Sequence, residues 1–395
     1  MKEVFNPFTP GAGTPPPELA GRQDIIRRAE VLLKRVQNGR AAKSILLNGL
    51  RGVGKTVLLN EINQLAKDLN YQRIFFEAHE DKSLPVLIAP QLRSLLYALD
   101  RIEGAREIVR RGLAVLRGFV GSIKVTYGEI PIGIDIEPEK GTADSGDLEI
   151  DLPELFVIVG EAAKSRATSV ILLIDELQYF SEKELSSLIM AIHKVQQESL
   201  PIVLVGAGLP VLAKLAGESK SYAERLFDFP EIGPLSETDA ALAISDPIRA
   251  EGESIDEEAI KAVVNVTQGY PYFLQEWGYQ IWNLAKTSPI RIDVVQKASS
   301  KTIERLDKNF FRVRFDRLTN SEKLFLRAIA ELGSGPQKMG DVADIMKLKI
   351  ASLSPRRAQL IHKGMIYSPQ HGEVAFTVPL FDGFMHRAMP EFQKK

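Results

Sequence analysis

The chain of 395 residues contains no cysteine. That absence excludes disulfides, thiolate metal sites and cysteine nucleophiles, and it is compatible with a reducing compartment. Histidine is sparse as well. His79, His193, His362, His371 and His386 are scattered along the sequence, so no histidine metal cluster is expected. Neither sign of charge is in excess: 50 Lys and Arg face 51 Asp and Glu, for a net charge of -1. A uniformly basic nucleic-acid coat is thereby excluded, and any nucleic-acid contact has to come from a local patch. No apolar run approaches the roughly 20 residues that span a bilayer. The opening residues Met1–Phe8 have no apolar signal core. A cytoplasmic protein without a membrane partner is expected. The apolar content of 45% and the length leave room for two or three domains with ample cores.

One stretch organises what is present. Ile45, Leu46 and Leu47 form an apolar run that breaks into Gly49-Leu-Arg-Gly-Val-Gly-Lys-Thr56 and then into helix-forming residues from Val57. The pattern is G-x-x-x-x-G-K-T between a strand and a helix. Glycines let the backbone turn tightly, so that several N–H groups face one anion, and the helix start adds its own free N–H groups. Lys55 is placed to reach β- and γ-phosphates, and the Thr56 hydroxyl to ligate Mg²⁺. The residues expected to line this cradle are Gly49, Arg51, Gly52, Val53, Gly54, Lys55, Thr56 and Val57. Downstream, Val170–Ile174 is a continuous apolar run ending in Asp175-Glu176. Such a run suits a central parallel strand covered on both faces. Two carboxylates at its end either cap the next helix or form a metal-and-water site. With a phosphate loop upstream, the second reading gives Asp175 the Mg²⁺ and Glu176 the attacking water.

Around these two motifs the pattern alternates strand and helix. Residues 1–20 are rich in Pro and Gly and read as an extended arm. Strands are expected at 73–77, at 201–206 and near 229–232, with helices at 25–36, 57–69, 84–99, 103–119, 155–165, 185–195 and 209–216. Pro90 is expected to bend or restart its helix. Residues 121–150 read as an insertion. Ile123, Val125 and Tyr127, then Ile130, Ile132, Ile134 and Ile136, alternate with other residues, which predicts a β-hairpin, and 137–149 predicts a mobile acidic loop. This stretch is either a solvated decoration or a partner contact. Residues 236–317 read as a small helical domain. From 318 onward come helices at 322–332, 339–346 and 354–363, the last opened by Pro355 in its first turn, then a ribbon at 365–367 and 373–378. Thr319 or Ser321 can cap the first of these helices, with Glu322 in its first turn.

This combination resembles the AAA+ ATPases, especially the branch shared by origin-recognition initiators, archaeal-type ATPases and STAND signalling NTPases. The resemblance covers nearly the whole chain except 121–150. It rests on Gly49–Thr56 as Walker A and Ile171–Glu176 as Walker B. It implies a P-loop NTPase fold of the α/β class: a parallel five-stranded sheet at 21–235, a helical lid at 236–317, and an α+β winged helix-turn-helix at 318–395. It implies ATP with Mg²⁺ as ligands and ATP hydrolysis as the activity. It places Arg22 beside the adenine, Pro271 of Gly269-Tyr-Pro271 in the lid, and Arg225 at the position of an arginine finger, which requires an oligomer. Arg225 is otherwise a partner in a salt bridge. Two features depart from the family: the fourth strand ends Val205-Gly206-Ala207 without a polar sensor side chain, and the lid motif carries no sensor arginine. Slow hydrolysis is the consequence expected.

The C-terminal module offers a basic face. Between Ile345 and Gly372 there is no Asp or Glu, whereas Lys347, Lys349, Arg356, Arg357 and Lys363 are present. Arg356, Arg357 and Gln359 lie on the expected recognition helix, and His371 lies at the wing tip. Lys349, Arg356, Arg357, Gln359, Lys363 and His371 are therefore the candidate contacts to double-stranded DNA. The alternative is a STAND-like switch or scaffold whose winged helix contacts protein.

Overall fold

The computed structural model describes residues 1–391 apart from 12, 15, 18, 101–105, 128, 129, 131 and 132. The chain divides into two compact units. One comprises Arg22–Gly49 and Lys55–Ile232, and the other Met1–Gly21, Leu50–Gly54 and Gly233–Lys395.

The first unit is built on a parallel sheet. Its strands are β1 (Ser44–Gly49), β2 (Gln72–Glu77), β3 (Val170–Asp175), β4 (Ile202–Gly208) and the short β5 (Phe227–Asp228) and β6 (Glu231–Ile232). The order is β2-β3-β4-β1-β5, with β6 also pairing β1, and all of these pairs run parallel. The expected fifth strand is thus split in two at the sheet edge. Every residue of β3 and β4 is buried, which explains their unbroken apolar sequence: helices cover both faces, and no position turns to water. In register, Ile174 pairs Gly206, so Asp175 emerges beside the end of β4. The helix Lys55–Asp68 after β1 buries Leu58, Leu59, Ile62 and Ala66. Pro90 lies inside one continuous helix, Leu84–Asp100, and does not restart it.

Among the described residues of 121–150 the expected β-hairpin does not form. The helix that follows residue 105 runs Arg106–Tyr127, and the next begins at Leu148. Between them no described residue is in a strand, while residues 128, 129, 131 and 132 lie outside the described residues. The physical reason is a longer helical stripe. Val109, Leu113, Leu116, Phe119, Val120 and Ile123 are all buried at spacings of three and four, so Ile123 continues a helix face. Ile130 and Ile134 are buried, and Arg117 donates to the Ile134 carbonyl. The acidic loop is pinned as well. Fully buried Asp151 accepts from the backbone N–H groups of Ser145 (3.0 Å) and Gly146 (2.8 Å). Arg111 pairs with Glu139 at 3.0 Å. Within the run itself, Asp144 accepts the Gly141 N–H at 2.9 Å and Asp147 the Glu149 N–H at 3.3 Å, so carboxylates that look solvated serve as acceptors for backbone donors.

In the second unit, helices Glu237–Ala250, Glu257–Thr267, Pro271–Leu284 and Ile292–Leu306 form an all-helical layer. The last of these passes through a π turn, Asp307–Phe311, into Arg312–Phe315. The N-terminal arm is anchored here: Phe8 is 1% exposed, and the Trp282 indole donates to the Lys2 carbonyl at 3.0 Å. The C-terminal module has helices Asn320–Glu331, Met339–Met346 and Ile350–His362. Thr319 caps the first through a capping box with Glu322. Strands β7 (Gln337–Lys338), β8 (Ile366–Tyr367) and β9 (Glu373–Phe376) form an antiparallel sheet in the order β7-β9-β8. A helix-turn-helix beside a small antiparallel sheet is compatible with a winged helix. Its third helix starts four residues earlier than the proline suggests, so Pro355 sits inside that helix and not in its first turn.

Candidate functional site

The turn between β1 and the following helix uses its glycines conformationally. Gly52 and Gly54 have φ of +82° and +95°, backbone that side-chain-bearing residues avoid. Val53 between them is buried. The helix opens at Lys55, whose ammonium is buried and donates to the Gly49 carbonyl at 2.9 Å. On the next residue, the Thr56 hydroxyl donates to Asp175 Oδ2 at 2.6 Å. The tertiary fold thus joins the two motifs read separately in the sequence. Asp175 is 5% exposed, and burial raises its carboxyl pKa above the ordinary value, with the Thr56 hydrogen bond opposing the rise. Its other oxygen accepts from the Glu176 N–H at 2.8 Å. A hydroxyl and a carboxylate form a hard-oxygen pair of the kind Mg²⁺ takes, and a buried ammonium beside a helix N-terminus suits phosphate. The residues present therefore fit a nucleotide with its metal.

Glu176 has φ +55° in the left-handed region, an unusual conformation for a side-chain-bearing residue and one that recurs at functional sites. It turns the chain sharply from β3 into the 3-10 turn Leu177–Tyr179. One residue of that turn was missed in the sequence. The Gln178 side-chain amide donates to Glu176 Oε2, and its Oε1 accepts the Leu209 N–H at 3.0 Å. The only sequence signal was its place two residues after the glutamate. Among the other predicted residues, Arg22 is the N-cap of the first helix, and Pro271 is the first residue of its own. Arg225 is exposed in the helix Ala223–Leu226 and makes no ion pair among the described residues.

In the other unit, the loop residues Leu50–Gly54 pack with Gly233–Lys395. The Gly52 carbonyl accepts the Tyr272 N–H at 3.2 Å. Gly364, with φ +63°, lies against the Arg51 guanidinium so closely that a Cβ there would fall 2.8 Å from its nearest nitrogen. The basic face predicted for the C-terminal module is partly committed internally. Lys363 pairs with buried Glu322 at 2.8 Å, and Arg357 donates to Ser368 at 2.7 Å. Lys349 and Gln359 remain exposed, as does His371, while Arg356 is half-buried.

Residues 18–205 match the family model described as an AAA ATPase domain. Residues 18–205 thus carry the sequence pattern of an AAA ATPase domain on a P-loop NTPase-like fold. Residues 308–385 match a domain described as being of unknown function. No curated protein matches the sequence. Among solved structures, the chain is similar to a Walker-type ATPase of Pyrococcus abyssi at 16% identity and a TM-score of 0.60, over 94% of this chain and 97% of that one. It also matches Cdc6p of Pyrobaculum aerophilum at 16% identity and a TM-score of 0.47, over 99% and 98% of the two chains. RuvB of Thermotoga maritima, described as a Holliday junction branch migration motor, matches at 16% identity and a TM-score of 0.43, over 95% and 96%. The first of these shares the fold. Within residues 18–205, Lys55, Thr56, Asp175 and Glu176 gather at the carboxyl ends of β1 and β3, where open α/β sheets hold their ligands. A separate cavity of about 370 Å³ opens at the opposite ends of the strands, against Ser44, Ser169 and Pro201, and no carboxylate lines it. No helix of the described residues is long and apolar enough to cross a membrane.

Proposed function

We propose that the protein binds and hydrolyses ATP with Mg²⁺, and that its nucleotide state controls binding of double-stranded DNA by the C-terminal module, acting as a winged helix. The observation that carries the hydrolytic part is the bond from Thr56 to Asp175 at 2.6 Å, which brings the phosphate loop and the carboxylate pair into one site. In this reading the loop N–H groups and Lys55 hold the phosphates. Thr56 and Asp175 supply the metal's protein oxygens, and Glu176 accepts a proton from the attacking water. The family resemblance assigns Arg22 to the adenine and Pro271 to the lid motif. Two contacts support the control: Tyr272 on the Gly52 carbonyl, and Gly364 against Arg51. Both touch the loop that a phosphate would order, so a bound nucleotide would bias the module that supplies Gly364.

A second reading has its own support. Leu348 and Ile350 are 46% and 51% exposed beside Lys347 and Lys349, and Lys363 and Arg357 are engaged internally. An apolar, weakly basic face suits a protein partner and a scaffold role.

Fluorescence anisotropy on a labelled duplex, with ATP, ADP or no nucleotide at two salt concentrations, decides between them. The DNA reading expects binding that depends on nucleotide and falls with salt at a log–log slope of about -0.9 for each phosphate neutralised. Lys349→Ala/Arg356→Ala should weaken it about tenfold or more, and Lys55→Ala should remove its nucleotide dependence. Binding that is absent in every state gives the scaffold reading the field.

A further inference from the structure

We propose that Gln178 is the positioning residue for Glu176, in place of the polar side chain that β4 lacks. This inference rests on the ATPase reading of the same site. The end of β4 is bare for a steric reason. A Cβ on Gly206 would collide with Leu177 Cδ1 and come within 2.9 Å of Leu46 Cδ2, and a Cβ on Gly208 would come within 2.9 Å of Gln178 Oε1. The two glycines make room for the turn that the left-handed Glu176 throws across β4. A polar sensor side chain at 206 and the Leu177–Gln178 turn cannot share that space.

What the turn delivers is an amide with both ends engaged. Oε1 accepts the Leu209 N–H at 3.0 Å, and the amide nitrogen donates to Glu176 Oε2. Exchanging the amide's oxygen and nitrogen would set a carbonyl against a carboxylate and an NH₂ against an N–H, so the two contacts fix one orientation together. The backbone N–H at the end of β4 thereby anchors the glutamate through a single side chain. One carboxylate oxygen is held, and Oε1 is left to take the proton of the water as its oxygen attacks the terminal phosphorus and the bond to the ADP oxygen breaks. Without the anchor, the carboxylate rotates among rotamers, of which only some meet the water.

The test uses the full-length chain. Steady-state ATPase rates give kcat and KM separately, and a fluorescent ADP analogue gives affinity. Gln178→Leu should lower kcat about tenfold to a hundredfold while KM and ADP affinity stay within about twofold. Gln178→Glu keeps the side chain's length but replaces the donor facing Glu176 Oε2 by a second acceptor, and should lower kcat as far as Gln178→Leu with KM unchanged. A purely structural role would not separate kcat from KM in this way. Gly208→Ala crowds the amide, and Leu212 Cδ2 equally, while keeping Gln178, and should lower kcat in the same direction. Unchanged kcat in Gln178→Leu, or a parallel loss of kcat, ADP affinity and melting temperature in both Gln178→Leu and Gly208→Ala, overturns the positioning role. If the wild type and Glu176→Gln turn over alike, the ATPase reading itself fails, and the proposal falls with it.

Discussion

At the scale of single residues, the charges whose roles are clearest are those that the fold has paired. Glu322 is 1% exposed, closes the capping box with Thr319, and receives Lys363 at 2.8 and 2.9 Å. Burial raises its pKa, but the hydrogen bonds from Lys363 and Thr319 outweigh that and hold it below the ordinary glutamate value. A carboxyl whose folded pKa lies below its unfolded one contributes fully above the unfolded value, near 4.3, and loses that contribution as pH falls through the folded one. Glu322→Gln should therefore cost about 1–3 kcal/mol near neutral pH, and the gap to wild type should close as pH drops from about 5 toward 3. Urea unfolding at pH 7, 5 and 4 measures it. A gap that stays constant with pH would assign the effect to packing alone. Lys363 was expected to face DNA. Its partner lies outside the acid-free stretch that suggested the basic face, so the pairing could not be foreseen locally.

At the scale of elements, β4 and the turn after β3 are fitted to each other. Gly206→Ala should destabilise the chain by about 1–3 kcal/mol, because its methyl enters space filled by Leu177 and Leu46. Adding Leu177→Ala should return part of that loss, so that the two costs are not additive. Thermal or urea unfolding of the two single variants and the double variant measures the coupling, and strict additivity would contradict the contact. The strands and most helices were legible in the sequence because their signals are local. Unbroken apolar runs marked β3 and β4, and three-four spacing marked the helices. The stretch 121–150 misled because two runs of apolar residues two apart, Ile123–Tyr127 and Ile130–Ile136, mimic a pair of strands. Only burial of Ile123 on the same stripe as Val109, Leu113 and Leu116 assigns the first of these runs to the helix that ends at Tyr127.

At the scale of the whole molecule, the open question is assembly. Arg225 is exposed and makes no ion pair among the described residues, which suits a finger acting on a neighbouring copy. Arg225→Ala and Glu176→Gln should each be nearly inactive alone. Mixed in equal amounts, they should recover up to about a quarter of the wild-type ATPase, because random neighbours pair an intact glutamate with an intact arginine at one site in four. Recovery that stays at zero, or an Arg225→Ala chain with full activity, removes the finger role. The same mixing, followed by size-exclusion chromatography with and without ATP, reports whether nucleotide drives association.

The sequence by itself determined the phosphate loop, the carboxylate pair, the parallel α/β sheet and the capped helices. Each is encoded in neighbouring residues, through glycine φ freedom, apolar period or a side chain reaching its own backbone. Only the tertiary structure decided that Gln178 bridges Glu176 to the end of β4, that Asp151 gathers the 145–146 backbone, and that Lys363 turns to Glu322. Those pairings depend on where closure brings distant segments, and a donor in sequence carries no mark of the acceptor it will meet.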